Sequence, residues 1–355
     1  MTRFIPCLGF TLLLVAAATL NAQAPAPPQQ QPPPAPIIVR TPIVFVPVTV
    51  KDEHGQLVGD LTRDDFRILA DGVEQKIATF SSEAVPLSAV VVLDNDLDQR
   101  VSTNVQKSLI SIAASFGPDD EVALVSYEEF PETISDFSFN NDALFTTLKR
   151  FEIGSHNHTI IEDPAFRPGG PPPPGQAPPG PPQGTGPSLP LPQKFKSNVD
   201  MTDAIFAAGE MLKSRGRDRR KIIFLLSDES NSNNNAHSFD ETLRSLLISD
   251  VSLYSISVSR SVPVGKKLLQ KGALDLQKYA ADTGGDTFYA KKEDDLDRLY
   301  SEVTEQARNE YTLTFSPTEV TKGQDYHPIE VRVKRPGLNI ETREGYYESA
   351  ITPGR

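Results

Sequence analysis

Cysteine, tryptophan and histidine are scarce: 1, 0 and 5 of them in 355 residues. The one cysteine, Cys7, lies in MTRFIPCLGFTLLLVAAATLNAQA, where Arg3 precedes an apolar run and small residues stand at Ala22 and Ala24. This pattern predicts a secretory signal peptide over residues 1–24, too short and too soon followed by Pro and Gln to span a membrane. Most of the apolar run follows Cys7, which argues against a lipid anchor there. Cleavage near Ala24 removes Cys7, so the mature chain is expected to lack disulfides, cysteine metal ligands and thiol catalysis. Positive charge is also in deficit: 35 Lys and Arg against 47 Asp and Glu give a formal net charge of -12. Nucleic acid and anionic membranes are therefore not expected as partners, because they need a basic patch that releases counterions. Lys and Arg do cluster from Lys213 to Lys221, a run read as the end of a helix, where cations complement the dipole. No Ser/His/Asp elbow, Walker loop or dinucleotide glycine pattern occurs.

Proline is abundant, 31 in all, and concentrated in two tracts. Residues 25–36 (PAPPQQQPPPAP) form a Pro/Gln linker that cannot bury a core and should act as an extended spacer. Residues 164–192 are a Pro/Gly-rich stretch with almost no apolar bulk, expected to be a disordered insertion. Between the tracts, residues 37–85 carry alternating runs at 43–51 and 66–80 with turn signals at His54-Gly55 and Asp71-Gly72, a small β unit. From residue 86 to 308 the pattern changes. Strand candidates at 88–94, 121–127, 221–228, 251–258 and 286–290 alternate with helical patterns at about 100–115, 141–151, 200–214, 238–249, 267–282 and 293–308. Nearly continuous apolar strands separated by amphipathic helices require a mostly parallel sheet covered on both faces, a doubly wound α/β fold. Residues 309–349 return to β, with Arg335-Pro336-Gly337 as a turn between two strands. Each β flank is too small to be stable alone, so the economical expectation is one β domain with the α/β domain inserted in it.

Open α/β sheets collect ligands at the carboxyl ends of their strands. Asp94, Asp96 and Asp98 follow one strand there, and Asp228 follows another. Carboxylates converging on one face repel unless a cation or solvent relieves them, and a hard divalent ion with oxygen ligands is the natural guest. Some of these aspartates could instead cap the helices that follow. A phosphohydrolase reading takes Asp94 as nucleophile and Asp96 as acid/base, on the Asp-x-Asp that follows an apolar strand in the haloacid dehalogenase superfamily. Ser227 and Asp228 can fill two further roles, but no later strand end offers the acidic pair that would hold magnesium; Asp119-Asp120 precede their strand. His156-Asn157-His158 with Glu162 and Asp163 form a weak transition-metal pattern.

VVVLDNDLD (90–98), the helix after it and FLLSDES (224–230) together resemble a von Willebrand factor A (VWA) domain. The flanks LTRDDFRILADGVEQKIATF, YTLTFSP and IEVRVKRPGLNIETREGYY extend the likeness to the secreted acidobacterial VWFA-related family, over about residues 43–348. The resemblance implies a Rossmann-like fold, a non-enzymatic role in protein or cell-surface binding, and a metal ion-dependent adhesion site. That site has the pattern Asp-x-Ser-x-Ser, a Thr on a second loop and an Asp on a third. Asp94 and Asp228 match the two aspartates. Asp96 and Asp98 stand in place of the serines, Val199 replaces the Thr, and Glu229 stands where the family has Gly after Ser-Asp. Asp200 or Thr202 could reach the ion instead. A site this rich in carboxylate is expected to take calcium, manganese or magnesium in a structural role or to stand empty, because local carboxylates cancel the charge that would attract an acidic partner. The Pro/Gly insertion should emerge on the same face, a contact element for an aromatic groove or a solvated loop. The expected location is secreted, periplasmic or cell envelope, with no integral span after signal removal and a protein or cell-surface ligand as partner.

Overall fold

The computed structural model describes residues 43–154, 200–258, 271–290, 292, 295–317 and 325–351. The signal segment, the linker, the Pro/Gly insertion, the His156 cluster and Val199 lie outside the described residues. In chain order the elements are β1 (Val44–Lys51), β2 (Phe66–Ala70), β3 (Val73–Gln75), β4 (Ile77–Ser81), β5 (Leu87–Asp94), α1 (Gln99–Ser115), β6 (Glu121–Tyr127), β7 (Pro131–Ser138), α2 (Asn141–Arg150), α3 (Met201–Lys213), β8 (Arg220–Ser227), α4 (Phe239–Ile248), β9 (Val251–Ser257), α5 (Lys271–Thr283), β10 (Thr287–Tyr289), α6 (Leu296–Arg308), β11 (Tyr311–Phe315), β12 (Tyr326–Val333), β13 (Asn339–Thr342) and β14 (Gly345–Tyr347).

The central sheet has six strands in the order β10-β9-β8-β5-β6-β7. Its first five run parallel and β7 is an antiparallel edge. Every residue of β5 is buried, yet the strand still alternates. Leu87, Ala89, Val91 and Leu93 enter a core shared with α1, α2 and α6, while Val90 and Val92 enter a second core under α3, α4 and α5. Side chains of period two feeding two cores are the reason a continuous apolar run is needed here. The doubly wound α/β fold expected from the sequence is present.

β7 has no counterpart among the expected strands. PETISDFS is half-exposed along its length, and an edge strand with one solvated side carries no strong apolar signal. α5 ends where expected: Gly284 at φ 82 takes the left-handed turn, and the amide of Gly285 returns to the Ala280 carbonyl at 2.9 Å. Glycine adopts that conformation without the Cβ penalty.

The chain segments before and after this layer pair with each other. β1 lies between β11 and β13, β11 also pairs with β4, and β12 lies between β2 and β14. Val44, Val46, Val48 and Val50 alternate inward from β1 to meet Ile68, Leu313, Phe315 and Val331 in one core between two four-stranded sheets. Asp71 and Gly72, both left-handed, make the tight turn of the β2–β3 hairpin, as the Asp-Gly signal requires. The turn at Arg335-Pro336-Gly337 is different. The strands on its two sides, β12 and β13, belong to different sheets.

Candidate functional site

β5 pairs with β6 on one side and β8 on the other. The chain winds outward in both directions from this pair, so the topological switch point falls between β5 and β8, where open α/β sheets form their ligand crevice. Asp94 ends β5, Tyr127 ends β6 opposite it in register, and Ser227 ends β8.

Asp94 is buried, with 1% of its surface exposed. One carboxylate oxygen, Oδ1, accepts the Asp96 amide at 3.0 Å. The other lies 3.2 Å from the Tyr127 hydroxyl, 3.1 Å from Ser227 Oγ and 3.4 Å from the Asp228 amide. Tyr127 and Ser227 are themselves 2.9 Å apart. Two hydroxyl protons thus serve three links of a triangle, and a proton on Asp94 would supply the third. Burial, then the nearby charge of Asp228, pushes the Asp94 carboxyl up to about 7. Burial also drives the Tyr127 phenol well above its ordinary value. Among the described residues no Lys, Arg or His lies within 4.0 Å of Asp94 or Asp228, whereas many other acids of the molecule have such a partner.

The remaining expected ligands have other placements. Asp228 is half-buried at the rim and accepts the Ser230 amide at 2.8 Å. Asp96 is half-buried beside Asp94. Asp98, expected with them, is exposed and caps α1 by accepting the Arg100 amide at 3.0 Å, the alternative that capping preference allows. Thr202 is buried in the first turn of α3, and its hydroxyl accepts from the Asn231 side chain at 2.9 Å. Asp200 precedes α3, is 6% exposed, and has one carboxylate oxygen, Oδ1, with no hydrogen-bond partner. Its pKa is raised by burial. The four-carboxylate site expected from sequence is therefore not assembled: among the described residues no three Asp, Glu, His or Cys side chains gather in a metal-holding group. A pair, Asp94 and Asp228, comes together with two hydroxyls. Those donors are hard oxygens around a buried carboxylate that has no cationic side chain beside it, and hard oxygens are the donor type that calcium, magnesium and manganese prefer.

Sequence reading overlooked Tyr127, although its position at the end of a parallel strand was a usable signal. It also overlooked Asp203, which fixes the loop after β8 by accepting the amides of Ala236 and His237 at 2.8 and 2.9 Å and by bonding the His237 ring at 2.8 Å. Glu229, directly after the Ser227-Asp228 strand end, has φ 70 and is buried. A left-handed conformation costs a non-glycine residue roughly 1–2 kcal/mol, so the loop keeps the turn that a glycine there would make freely.

No protein-family model matches the chain, and no curated protein matches it. Solved structures of similar fold include a von Willebrand factor type A protein from Catenulispora acidiphila, at 9% identity over 88% of this chain and 76% of that one, with a TM-score of 0.44. Proximal thread matrix protein 1 from the mussel byssus aligns at 12% identity over 64% of this chain, TM-score 0.41. The alignment spans about half, 49%, of that protein's length. BatB from Bacteroides thetaiotaomicron aligns at 9% identity over 62% of this chain and 98% of its own, TM-score 0.40. Strand order and register in the six-stranded sheet establish the fold independently of these overlaps.

Proposed function

We propose that this is an exported, non-enzymatic VWA-like protein of the cell envelope or exterior that binds a protein or cell-surface ligand at the carboxyl edge of its six-stranded sheet. A divalent cation held by Asp94 and Asp228 would organise that edge. The carrying observation is the buried Asp94 carboxylate, placed at the switch point beside a second carboxylate and without a cationic side chain. A cation there would be largely neutralised by the two carboxylates of the pair, so its role is structural, and an acidic partner side chain gains little from it. No helix among the described residues is long and apolar enough to cross a membrane.

The phosphohydrolase alternative asks Asp94 to attack phosphorus. At 1% exposure, with both oxygens hydrogen-bonded, it is poorly placed for in-line attack, and general nucleophilic catalysis needs an approachable oxygen. Turnover of a generic phosphate ester would revive that alternative.

Calorimetric titration of the metal-stripped mature protein with calcium, magnesium and manganese tests the proposal, repeated on Asp228→Ala. Saturable binding that disappears in the variant is expected. Absence of heat with all three ions overturns the cation role, and magnesium-dependent capture of a soluble acidic peptide overturns its structural character.

A further inference from the structure

At the opposite end of the six-stranded sheet, where its strands begin, lies a cavity of about 280 Å³. One wall is the foot of the α/β layer around the entries to β8 and β9; the other is the β1–β11 face of the flanking sheets. This size is near the lower end for small-molecule sites, which are mostly apolar with a few directed polar groups. Its walls follow that description: Phe45, Pro47, Val85, Leu247 and Val251 line it. The Lys and Arg run at 213–221, read from sequence as a helix end, supplies the polar part. Only Lys213 lies in the last turn of α3, and the later cations turn into or around the cavity.

Most of those cations are already paired. Arg220 bridges Glu310 and the hydroxyl of Thr312. Arg219 serves Ser88, the Leu87 carbonyl and Glu121. Arg343, buried at 3% exposure, donates to the carbonyls of Leu247, Phe45 and Gly345 and to Asp250. Two are left under-used. Lys221 is 6% exposed, and its one side-chain hydrogen bond among the described residues goes to the Ser249 carbonyl at 3.0 Å. No carboxylate among the described residues lies within 4.0 Å of its ammonium, and burial lowers its pKa, with Asp250 opposing the shift. Arg217 stands half-exposed at the mouth, over the Phe45 ring, and shares Asp250 with Arg343 at 3.2 and 3.0 Å. Two carboxylates line the cavity, Asp250 and the exposed Asp218, against five cations; Asp250 is shared between the Arg217 and Arg343 guanidinium groups with the buried Lys221 ammonium near it. A buried charge without a counter-ion is costly, and an anion brought into the cavity would relieve it.

We infer that this cavity binds a small organic carboxylate with an apolar body, its head group between Lys221 and Arg217 and its body against Phe45, Pro47 and Leu247. The volume admits a medium chain or a fused aromatic body, and the charge excess selects an anion over a neutral molecule of the same shape. Because the walls come from both the α/β layer and the flanking sheets, an occupant would also tie these parts together.

The test uses the full mature protein and the fluorescent probe anilinonaphthalene sulfonate, an apolar anion. One saturable site is expected, emptied by decanoate and not by decanol at equal concentration. Arg217→Ala and Lys221→Met should each weaken probe binding about tenfold or more, the loss of one charge-assisted hydrogen bond. Arg298→Ala, on the exposed Arg298–Glu302 pair of α6, should leave it unchanged. If Lys221→Met fails to fold, Arg217→Ala carries the result, since its side chain is half in solvent. Displacement by decanol as effective as by decanoate, or unaltered binding in both variants, overturns the inference and assigns the probe to an exposed apolar patch. The calcium, magnesium and manganese titration is independent of either outcome.

Discussion

The two ends of the six-stranded sheet treat buried acid in opposite ways. At the foot, Asp120 accepts the Leu87 and Gly117 amides at 2.8 and 2.7 Å and pairs with Arg308 at 2.5 Å. Glu121 takes Arg215 at 2.8 Å and Arg219 at 3.6 Å, and Glu310 takes Arg220 at 3.1 Å with the Tyr254 hydroxyl bonded to its other oxygen. At the carboxyl edge, Asp94 is as deeply buried as these three, and its neighbours are hydroxyls, amides and another acid. The buried acids of the foot each have a cationic partner within the chain, as a structural joint requires. The carboxyl edge is balanced by a proton or by something from solution, which is how a binding edge differs from a structural one.

The comparison breaks most visibly at the foot. Arg220→Met leaves Glu310, 1% exposed, without its counter-ion, and removing one partner of a buried pair costs about 3–5 kcal/mol. Urea unfolding should show that loss; a change near zero would mean that the foot pairs do not hold the joint.

The carboxyl edge should respond to pH instead. The folded-state pKa of Asp94, about 7, lies above its unfolded value near 3.8, so the folded protein holds a proton that the unfolded chain has released between these limits. Stability of the metal-free protein therefore falls as pH rises from about 4 to 7 through this group. Asp94→Asn should remove that slope and stabilise the metal-free protein at pH 8 by about 2–3 kcal/mol, below the full linkage value because the site relaxes. Chemical denaturation at pH 5 and pH 8 reads both numbers, and an unchanged slope would show that Asp94 ionises freely.

Two smaller substitutions sharpen the division within that edge. Asp98→Ala removes a helix cap and should cost about 1 kcal/mol while leaving cation titration intact. A lost cation response would return Asp98 to the ligand set. Glu229→Gly relieves a left-handed backbone and should raise stability by up to about 1 kcal/mol, seen as a higher denaturation midpoint. A drop instead would give the Glu229 side chain a structural contact worth more than the strain.

Much of this was legible in the chain. Apolar strands such as VVVLD and IIFLLS fix their own burial, since no other arrangement hides both faces of so many branched side chains, and Asp94 and Asp228 follow them of necessity. β7 was not legible, because its one packed face leaves a mixed pattern. Nor was the role of Asp98, since an aspartate after a strand and before a helix has the same sequence context as ligand or as cap. The basic run at Lys213–Lys221 misled for a related reason: charge beside a helix end is ordinary, and its partners Glu121, Glu310 and Asp250 are distant in sequence.

Local sequence by itself determined the alternation of strands and helices, the Asp71-Gly72 hairpin, the α5 stop at Gly284 and the position of the acidic strand ends. These depend on side-chain periodicity and backbone freedom over a few residues. Tertiary structure alone decided that Tyr127 and Ser227 close on Asp94, that β12 and β13 part into different sheets after a tight turn, and that Lys221 and Arg217 face an apolar cavity. Each of these depends on which strands become neighbours and how deeply a charge is removed from water, and the energy of a buried charge is set by surroundings that the local chain does not contain.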